Sequence, residues 1–295
     1  MHASQTDTTP ALVRRLLHTQ HPQWSHLPLH RLASGGTVNA IYRLGSSFTV
    51  RLPLLPDSAD DLAREAHWLP RLAPLLPLPV PEVMALGEPT AEFPHPWAIH
   101  RWLDGEVLTE GTHPHPDRLA HDLATFITAF RDIALPDGPP AYRGTPLTTA
   151  DTETRTAIEA LRHTDEPFDA DALLAAWESA LATQPWTGHP RWTHSDLMPS
   201  NLLSTGPGLT AVLDFSTTGT GDPAIDLIPA WNLLPATTRP TFRTAASPDD
   251  ATWHRARGWA LSMAVTQLPY YRHTNPVISA NARYTLTQIL NDHTR

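Results

Sequence analysis

The sequence contains no cysteine and no lysine, and all 21 residues counted together as Lys and Arg are arginine. The absence of cysteine excludes thiolate nucleophiles, disulfides, iron–sulfur clusters and cysteine-ligated zinc. The absence of lysine excludes a phosphate loop ending in Gly-Lys-Ser/Thr, a lysine Schiff base and a Ser/Lys catalytic pair. Any chemistry must therefore rest on carboxylates, hydroxyls, amides, imidazoles and guanidinium groups.

Long apolar runs are missing as well. No stretch of 18 or more apolar residues is present, and the first 15 residues lack an apolar signal segment. These features predict a cytoplasmic protein with no membrane-spanning segment. The formal charge of −9 argues against nucleic acid as a partner, because phosphate backbones are held by basic surfaces. The acidic balance is compatible with a cationic ligand.

The hydrophobic patterns divide the 295 residues into two regions. Short strand patterns dominate the first hundred residues, with one main helix between strands at 58–72 and a shorter one near the start at 8–21. Beyond the turn at Asp104-Gly105, helical spacing dominates, at residues 117–133, 149–163, 169–183, 253–271 and 276–293. The pattern predicts an α+β protein with a β-rich N-terminal lobe, residues 1–103, and a mostly helical C-terminal lobe, residues 104–295.

The most informative motif is H-x-D-x-x-x-x-N, formed by His194, Asp196 and Asn201. Asp214 follows Asn201 by 13 residues, at the end of an apolar strand pattern, and a Gly-Pro-Gly turn lies between them. A hairpin of this length would bring Asn201 and Asp214 together. Their side chains offer hard oxygen ligands, which suit Mg²⁺ carried by nucleotide phosphates. Asp196 would then be placed to accept a hydroxyl proton, and these are the parts that phosphoryl transfer requires.

This segment resembles the catalytic and metal-binding loops of the aminoglycoside phosphotransferase family, which has a protein-kinase-like two-lobe fold. The family's downstream G-D-P-x-x-D-L motif corresponds to residues 221–227 here. The resemblance implies a small-molecule kinase that moves the γ-phosphate of ATP or GTP to a hydroxyl of a small molecule, such as an aminoglycoside or another antibiotic. It implies Asp196 as the base and Asn201 and Asp214 as Mg²⁺ ligands.

The same resemblance assigns supporting roles around this loop. His194 is expected to be structural and to bind backbone behind the loop. Asp222 is expected to tie the catalytic loop down. Asp226, from its residue type alone and not from the resemblance, is expected to serve only as a helix N-cap.

The N-terminal region is similar to the family's nucleotide-binding lobe. Gly35 and Gly36 match the hairpin loop over the phosphates. Arg51 takes the place of the usual phosphate-binding lysine, and Glu65 matches the helix acid that pairs with it. The backbone near Arg101 and Leu103 would bind the purine edge.

Two other functions remain open from the residues alone. Arg51 in place of lysine also fits a nucleotide-binding pseudokinase without turnover. A metal-dependent hydrolase using His194, Asp196 and Asp214 is the weaker alternative.

The acceptor and the oligomeric state are less determined. Acidic residues between Asp151 and Glu178 would suit a cationic acceptor, although acids on exposed helix faces are common. The expected assembly is a monomer or a homodimer.

Overall fold

The computed structural model describes residues 8–32, 39–54 and 59–293, and the chain forms two compact units. The first unit comprises Met1–Pro74, Pro79–Asp104 and Leu213–Ser216. The second comprises Leu75–Leu78, Gly105–Val212 and Thr217–Arg295. The short Leu213–Ser216 segment therefore belongs to the first unit, although the chain on either side of it belongs to the second.

The first unit is built on a five-stranded antiparallel sheet and two helices. Its elements in chain order are α1 (Pro10–Gln20), β1 (Leu29–Arg31), β2 (Asn39–Leu44), β3 (Phe48–Pro53), α2 (Ala59–Leu72), β4 (Val83–Gly87) and β5 (Trp97–Arg101). The strand order is β1-β2-β3-β5-β4, so α2 and β4 intervene in sequence between two neighbouring strands. This arrangement places β3, which carries Arg51, in the centre of the sheet.

Local sequence explains why α1 begins where it does. The hydroxyl of Thr9 accepts a hydrogen bond from the backbone N–H of Leu12, and Pro10 occupies the first helical turn, where its missing N–H costs nothing. The helix buries Leu12, Val13 and the Leu16–Leu17 pair against the apolar side chains of the sheet. Burying these side chains stabilises the unit by about 1.5–3 kcal/mol each.

The second unit is mostly helical. Its helices are α3 (Pro116–Arg131), α4 (Asp151–Arg162), α5 (Ala170–Leu181), α6 (Pro229–Asn232), α7 (Arg239–Ala246), α8 (Asp250–Tyr271) and α9 (Pro276–His293). Helix α8 is buried on nearly all sides because it packs against α4, α5 and α9. Its polar and apolar side chains are accordingly not segregated to opposite faces, and the helix is not amphipathic.

Two small sheets complete the second unit. Its strands are β6 (Glu106–Val107), β7 (Arg191–Thr193), β8 (Leu202–Ser204), β9 (Leu209–Val212) and β10 (Gly219–Gly221). Strands β6, β8 and β9 form one antiparallel sheet, and β7 pairs with β10 in the other. The residues between β7 and β8 contain the H-x-D-x-x-x-x-N motif, so both of its ends are held by strand pairing.

The predicted helices are confirmed, each within a few residues of its expected ends. Helices α6 and α7 and strands β6 and β10 were not predicted, because each is too short to show a clear period. Within the described ranges, no helix is both long enough and apolar enough to cross a membrane.

The glycines of β10 provide a test of packing in the second unit. A Cβ on Gly219 would lie 2.5 Å from the backbone oxygen of Pro139 and the backbone nitrogen of Ala141. We expect Gly219→Ala to lower the free energy of unfolding by about 1–3 kcal/mol, because backbone atoms must shift. Gly206→Ala is the matched control, since nothing lies within 4 Å of its Cβ position. Equal denaturation midpoints for the two variants would contradict this packing.

Candidate active site

The backbone before Asp196 adopts a conformation that is uncommon for residues other than glycine. Ser195 has φ 64°, in the left-handed region, and is fully buried. The carboxylate of Asp226 accepts hydrogen bonds from the N–H groups of Ser195 and His194, both at 2.8 Å. The Ser195 hydroxyl donates to the carbonyl of Thr217 at 2.8 Å. These contacts fix the turn that presents Asp196.

Asp226 therefore holds the backbone before Asp196. It lies inside the short 3₁₀ helix Pro223–Leu227, whose N-cap is Asp222, so the expectation that Asp226 serves only as a helix N-cap was wrong. Burial raises the pKa of its carboxyl group to about 6, against the opposing effects of His194 and of the two N–H donors.

Asp222, the residue directly after β10, supports the site through its contacts with α8 and with a short 3₁₀ helix. Its carboxylate forms a buried pair with Arg255 of α8, with Arg255 Nε at 2.6 Å and Nη2 at 3.2 Å. It also caps the short 3₁₀ helix Pro223–Leu227 by accepting from the N–H of Ala224. Both charged side chains are 4% exposed. Asp222 thus anchors the G-D-P-x-x-D-L segment to α8, while Asp226 contacts the loop itself.

His194 is completely buried behind Asp196. Its Nδ1 accepts a hydrogen bond from the backbone N–H of Asp196 at 3.3 Å, and its carbonyl accepts from the Thr217 hydroxyl at 2.8 Å. A buried imidazole bound to backbone supports the structural role predicted for His194.

The Asp196 carboxylate is held at both oxygens. The amide nitrogen of Asn201 donates to Oδ2 at 3.1 Å and to the Asp196 carbonyl at 2.9 Å. Arg143 Nη1 donates to Oδ1 at 3.0 Å. Sequence reasoning missed Arg143, because it lies in the stretch where the family motifs are weakest and no local pattern marks it. The partly exposed carboxylate, 24% accessible, keeps a route to a ligand.

The hairpin predicted after Asn201 is present. Strands β8 and β9 pair antiparallel, with Leu202 opposite Val212. Asn201 uses its amide nitrogen for Asp196, so its oxygen is the group suited to a hard cation.

In the first unit, Arg51 joins two acidic residues. Its Nη1 donates to Glu65 at 2.7 Å, and its Nη2 donates to Asp214 at 3.1 Å. With the Asn39 amide turned so that its oxygen faces Arg51, that oxygen accepts from Nε at 3.1 Å and Nη2 at 3.0 Å. Burial lowers the pKa of Arg51, but the charges of Glu65 and Asp214 outweigh it, and the net pKa is raised. The sequence-based pairing of Arg51 with Glu65 is present.

Asp214 is also held in the left-handed region, at φ 59°. Its Oδ1 accepts from the hydroxyl of Ser216 at 2.6 Å, and the N–H of the next residue, Phe215, donates to Glu65 at 3.0 Å. The Asp214 side chain is 37% exposed, so a ligand can reach it. A carboxylate is a donor type that Mg²⁺ prefers, so Asp214 fits that ion chemically.

The structure says less about Arg101, Leu103 and the glycine pair, the other residues predicted to contact the nucleotide. Arg101 ends β5; its backbone N–H donates to the carbonyl of Glu82 at 2.9 Å and is therefore already used. Leu103 follows the end of that strand. Gly35 and Gly36 lie outside the described residues.

The acidic helices predicted to suit a cationic acceptor are partly neutralised, because six of their carboxylates share four arginines. Six carboxylates between residues 151 and 178 pair with arginines: Asp151 and Glu178 with Arg155, Glu159 and Asp171 with Arg162, Asp165 with Arg272, and Glu166 with Arg283. Such pairs screen the charge that a cation would meet. This acidic run therefore gives little support for a cationic acceptor.

His100, close to the pair formed by Arg51 and Glu65, provides a test by pH. Burial and then the nearby Arg51 charge lower the pKa of His100 to about 3, against 6.5 for an ordinary histidine. Between pH 3 and pH 6.5 this histidine binds more protons in the unfolded chain than in the folded chain. The contribution of His100 to stability is therefore present above pH 6.5 and is lost as the pH falls toward 3.

We expect the unfolding free energy to fall between pH 7 and pH 5 by about 2 kcal/mol more for the wild type than for His100→Leu. Urea denaturation at both pH values measures this difference. An identical pH dependence for the two proteins would contradict a neutral, buried His100.

Solved phosphotransferases share the fold of this chain. Aminoglycoside 2′-phosphotransferase-IIIa in its GDP complex aligns with a TM-score of 0.71 at 19% identity, covering 97% of this chain and 99% of that one. APH(2″)-IIa with gentamicin aligns at 0.64 and 16% identity, covering 96% and 97%. The macrolide 2′-phosphotransferase MphH from Brachybacterium faecium aligns at 0.60 and 21% identity, covering 95% and 97%. The predicted α+β, protein-kinase-like fold is confirmed.

Family membership follows from the sequence itself. No curated protein matches the chain significantly. The model of the phosphotransferase enzyme family, by contrast, matches residues 30–259, which is most of the chain and includes every motif discussed above. The predicted family is thereby confirmed: this chain belongs to the phosphotransferase enzyme family and is a phosphotransferase.

Proposed function

We propose that this enzyme transfers the γ-phosphoryl group of ATP or GTP to a hydroxyl of a small molecule. The acceptor oxygen loses its proton to Asp196 and forms a bond to the γ-phosphorus, while the bond from that phosphorus to the β,γ-bridging oxygen breaks. The products are a phosphate ester and a nucleoside diphosphate. Positioning and electrostatic stabilisation carry most of the catalysis in such reactions.

The observation that carries this proposal is the Asp196 carboxylate, which is held at both oxygens and follows a buried, hydrogen-bonded turn. Asn201 and Arg143 donate hydrogen bonds to it, and Asp226 accepts from the backbone N–H before it. A carboxylate accepts about four hydrogen bonds, so acceptor positions remain for a substrate hydroxyl. General bases need this combination of fixed geometry and access.

The nucleotide and its metal are assigned by residue type. Asn201 and Asp214 would hold Mg²⁺, which when bound neutralises the charge of the phosphates. Arg51, held by Glu65 and Asp214, would donate to nucleotide phosphates in place of the usual lysine.

Among possible acceptors, antibiotics come first. The solved structures with this fold include complexes with kanamycin and gentamicin, and they include macrolide phosphotransferases. Because most acids of the 151–178 stretch already pair with arginine, neutral and cationic acceptors should both be tested.

The alternatives make different predictions. A pseudokinase would bind nucleotide in the presence of magnesium and turn over no acceptor. Against it, Arg51 keeps both acidic partners and Asp196, Asn201 and Asp214 are all retained. A metal-dependent hydrolase is disfavoured, since no three His, Asp or Glu side chains within the described ranges converge as a metal site.

One experiment tests the proposed function directly. Consumption of ATP and of GTP is measured across a panel of aminoglycosides, macrolides, amino alcohols and sugars, with mass spectrometry of each acceptor. Acceptor-dependent nucleotide consumption with a single phosphate added supports the proposal. Nucleotide binding without turnover on the whole panel would favour the pseudokinase, and cleavage of simple phosphate esters without nucleotide would favour the hydrolase.

Replacement of the base should separate catalysis from binding. We expect Asp196→Asn to lower kcat by about 10²- to 10⁴-fold, because the amide cannot take the hydroxyl proton. Nucleotide affinity, measured by calorimetry, should stay within about threefold of the wild type, because only transition-state interactions are lost. Asp132→Asn, in an exposed pair with Arg131, is the control. A near-normal rate for Asp196→Asn would overturn the assignment of the base.

The Arg51 cluster predicts that lysine cannot replace this arginine. The guanidinium reaches Glu65, Asp214 and Asn39 from three different nitrogens, whereas the donors of an ammonium all radiate from one nitrogen. We expect Arg51→Lys to lower kcat/KM for the nucleotide about 10- to 100-fold, the effect of losing one hydrogen bond between charged groups. Arg15→Lys, in the exposed pair with Glu92, should have no effect. Activity equal to the wild type would show that only the charge of Arg51 is needed.

A further inference from the structure

A segment outside the family motifs packs directly beside the catalytic loop. Residues 138–144, in the connection between α3 and α4, lie along β10 and its flanks. Four backbone hydrogen bonds hold this segment there. The N–H of Thr220 donates to the carbonyl of Pro139, and the N–H of Asp222 donates to the carbonyl of Gly144, both at 2.7 Å. The N–H groups of Ala141 and Tyr142 donate to the carbonyls of Thr220 and Thr217, both at 3.1 Å. The segment is thus fixed as firmly as a sheet strand.

The close approach depends on glycines. A Cβ on Gly221 would lie 2.8 Å from the carbonyl oxygen of Gly144, which itself has φ 127°. Gly221 is the first residue of the G-D-P-x-x-D-L motif. The absence of a side chain at Gly221 therefore leaves the space in which the 138–144 segment packs against the motif.

The segment delivers Arg143 to the base. Arg143 Nη1 donates to Asp196 Oδ1 at 3.0 Å and to the carbonyl of Ser195 at 3.3 Å. The opposite carboxylate oxygen, Oδ2, accepts from Asn201 at 3.1 Å. With a donor at each oxygen, the carboxylate cannot rotate about its Cβ–Cγ bond without losing a hydrogen bond.

Arg143 is itself restrained. Its guanidinium carbon lies 4.9 Å from the centre of the Tyr142 ring, a cation–π contact, and the side chain is 24% exposed. The backbone pairing of the segment fixes where the Arg143 side chain begins, and the contact with the Tyr142 ring restrains its guanidinium. This differs from a pair between two flexible surface side chains.

We propose that Arg143 is a positioning residue for the reaction: it holds Asp196 in the rotamer that receives the acceptor proton. The inference rests on the proposed function, because it assumes that Asp196 is the base. Arg143 acts through Asp196, and misplacement of a reacting group by about 1 Å can cost about 100-fold in rate.

The test compares Arg143→Met and Arg143→Lys with Arg118→Met. Arg118 pairs with Asp122 at 2.9 Å on α3 and controls for the loss of an Arg–Asp pair. We expect Arg143→Met to lower kcat about 10- to 100-fold, with the KM values for nucleotide and acceptor within about threefold. Arg143→Lys should recover part of the rate, since an ammonium can still donate to Oδ1. Arg118→Met should behave as the wild type.

A second measurement separates positioning from a general effect on folding. In Arg143→Ala, added guanidinium should raise kcat, because the free cation can occupy the space beside Asp196. In an Asp196→Asn background, Arg143→Met should cause no further loss, because residues that act as a unit are not additive. Rescue also remains informative if Arg143→Met folds poorly.

The results also distinguish this inference from the proposed function. If Asp196→Asn is severely impaired while Arg143→Met keeps the wild-type kcat, the positioning role is wrong and the proposed base stands. A rise in KM at constant kcat, or a full Arg143→Met loss in the Asp196→Asn background, would also overturn it, because Arg143 would then contact substrate independently. If Asp196→Asn itself is fully active, the proposed function fails.

Discussion

The loop that carries Asp196 depends on one buried carboxylate, that of Asp226. It accepts hydrogen bonds from the backbone N–H groups of His194 and Ser195. These bonds compensate for the strain of Ser195, which has a left-handed backbone conformation just before Asp196. Two backbone donors directed at one buried acceptor leave the loop little freedom. The turn then determines where Asp196 points, and Asn201 and Arg143 need only orient its carboxylate.

Arginine carries the electrostatics of this chain in a way that lysine could not. Arg51 divides its donors between Glu65 and Asp214 through two different nitrogens. Arg255 meets Asp222 through two nitrogens. A planar group with five N–H donors suits such shared contacts, whereas an ammonium acts as a point charge. The absence of lysine is therefore reflected in how each cluster is built.

Much of the fold could be predicted from local patterns. Helix α9 was placed at its observed ends, and α1 begins two residues after the predicted start, because caps and apolar spacing are local signals. Strand β10, by contrast, has only three residues, Gly-Thr-Gly. Nothing local marks it as a strand, since it exists through its pairing with β7 and with the 138–144 segment.

At the site, local sequence was enough to identify the family and the residues of the central motif: His194, Asp196, Asn201 and Asp214. These lie close together along the chain, where spacing alone relates them. The residues that support them are brought in by tertiary packing. Asp226 reaches back 31 residues to Ser195, and Arg143 meets Asp196 from 53 residues away. Such contacts arise from packing between distant segments, and no local period or cap signal encodes them.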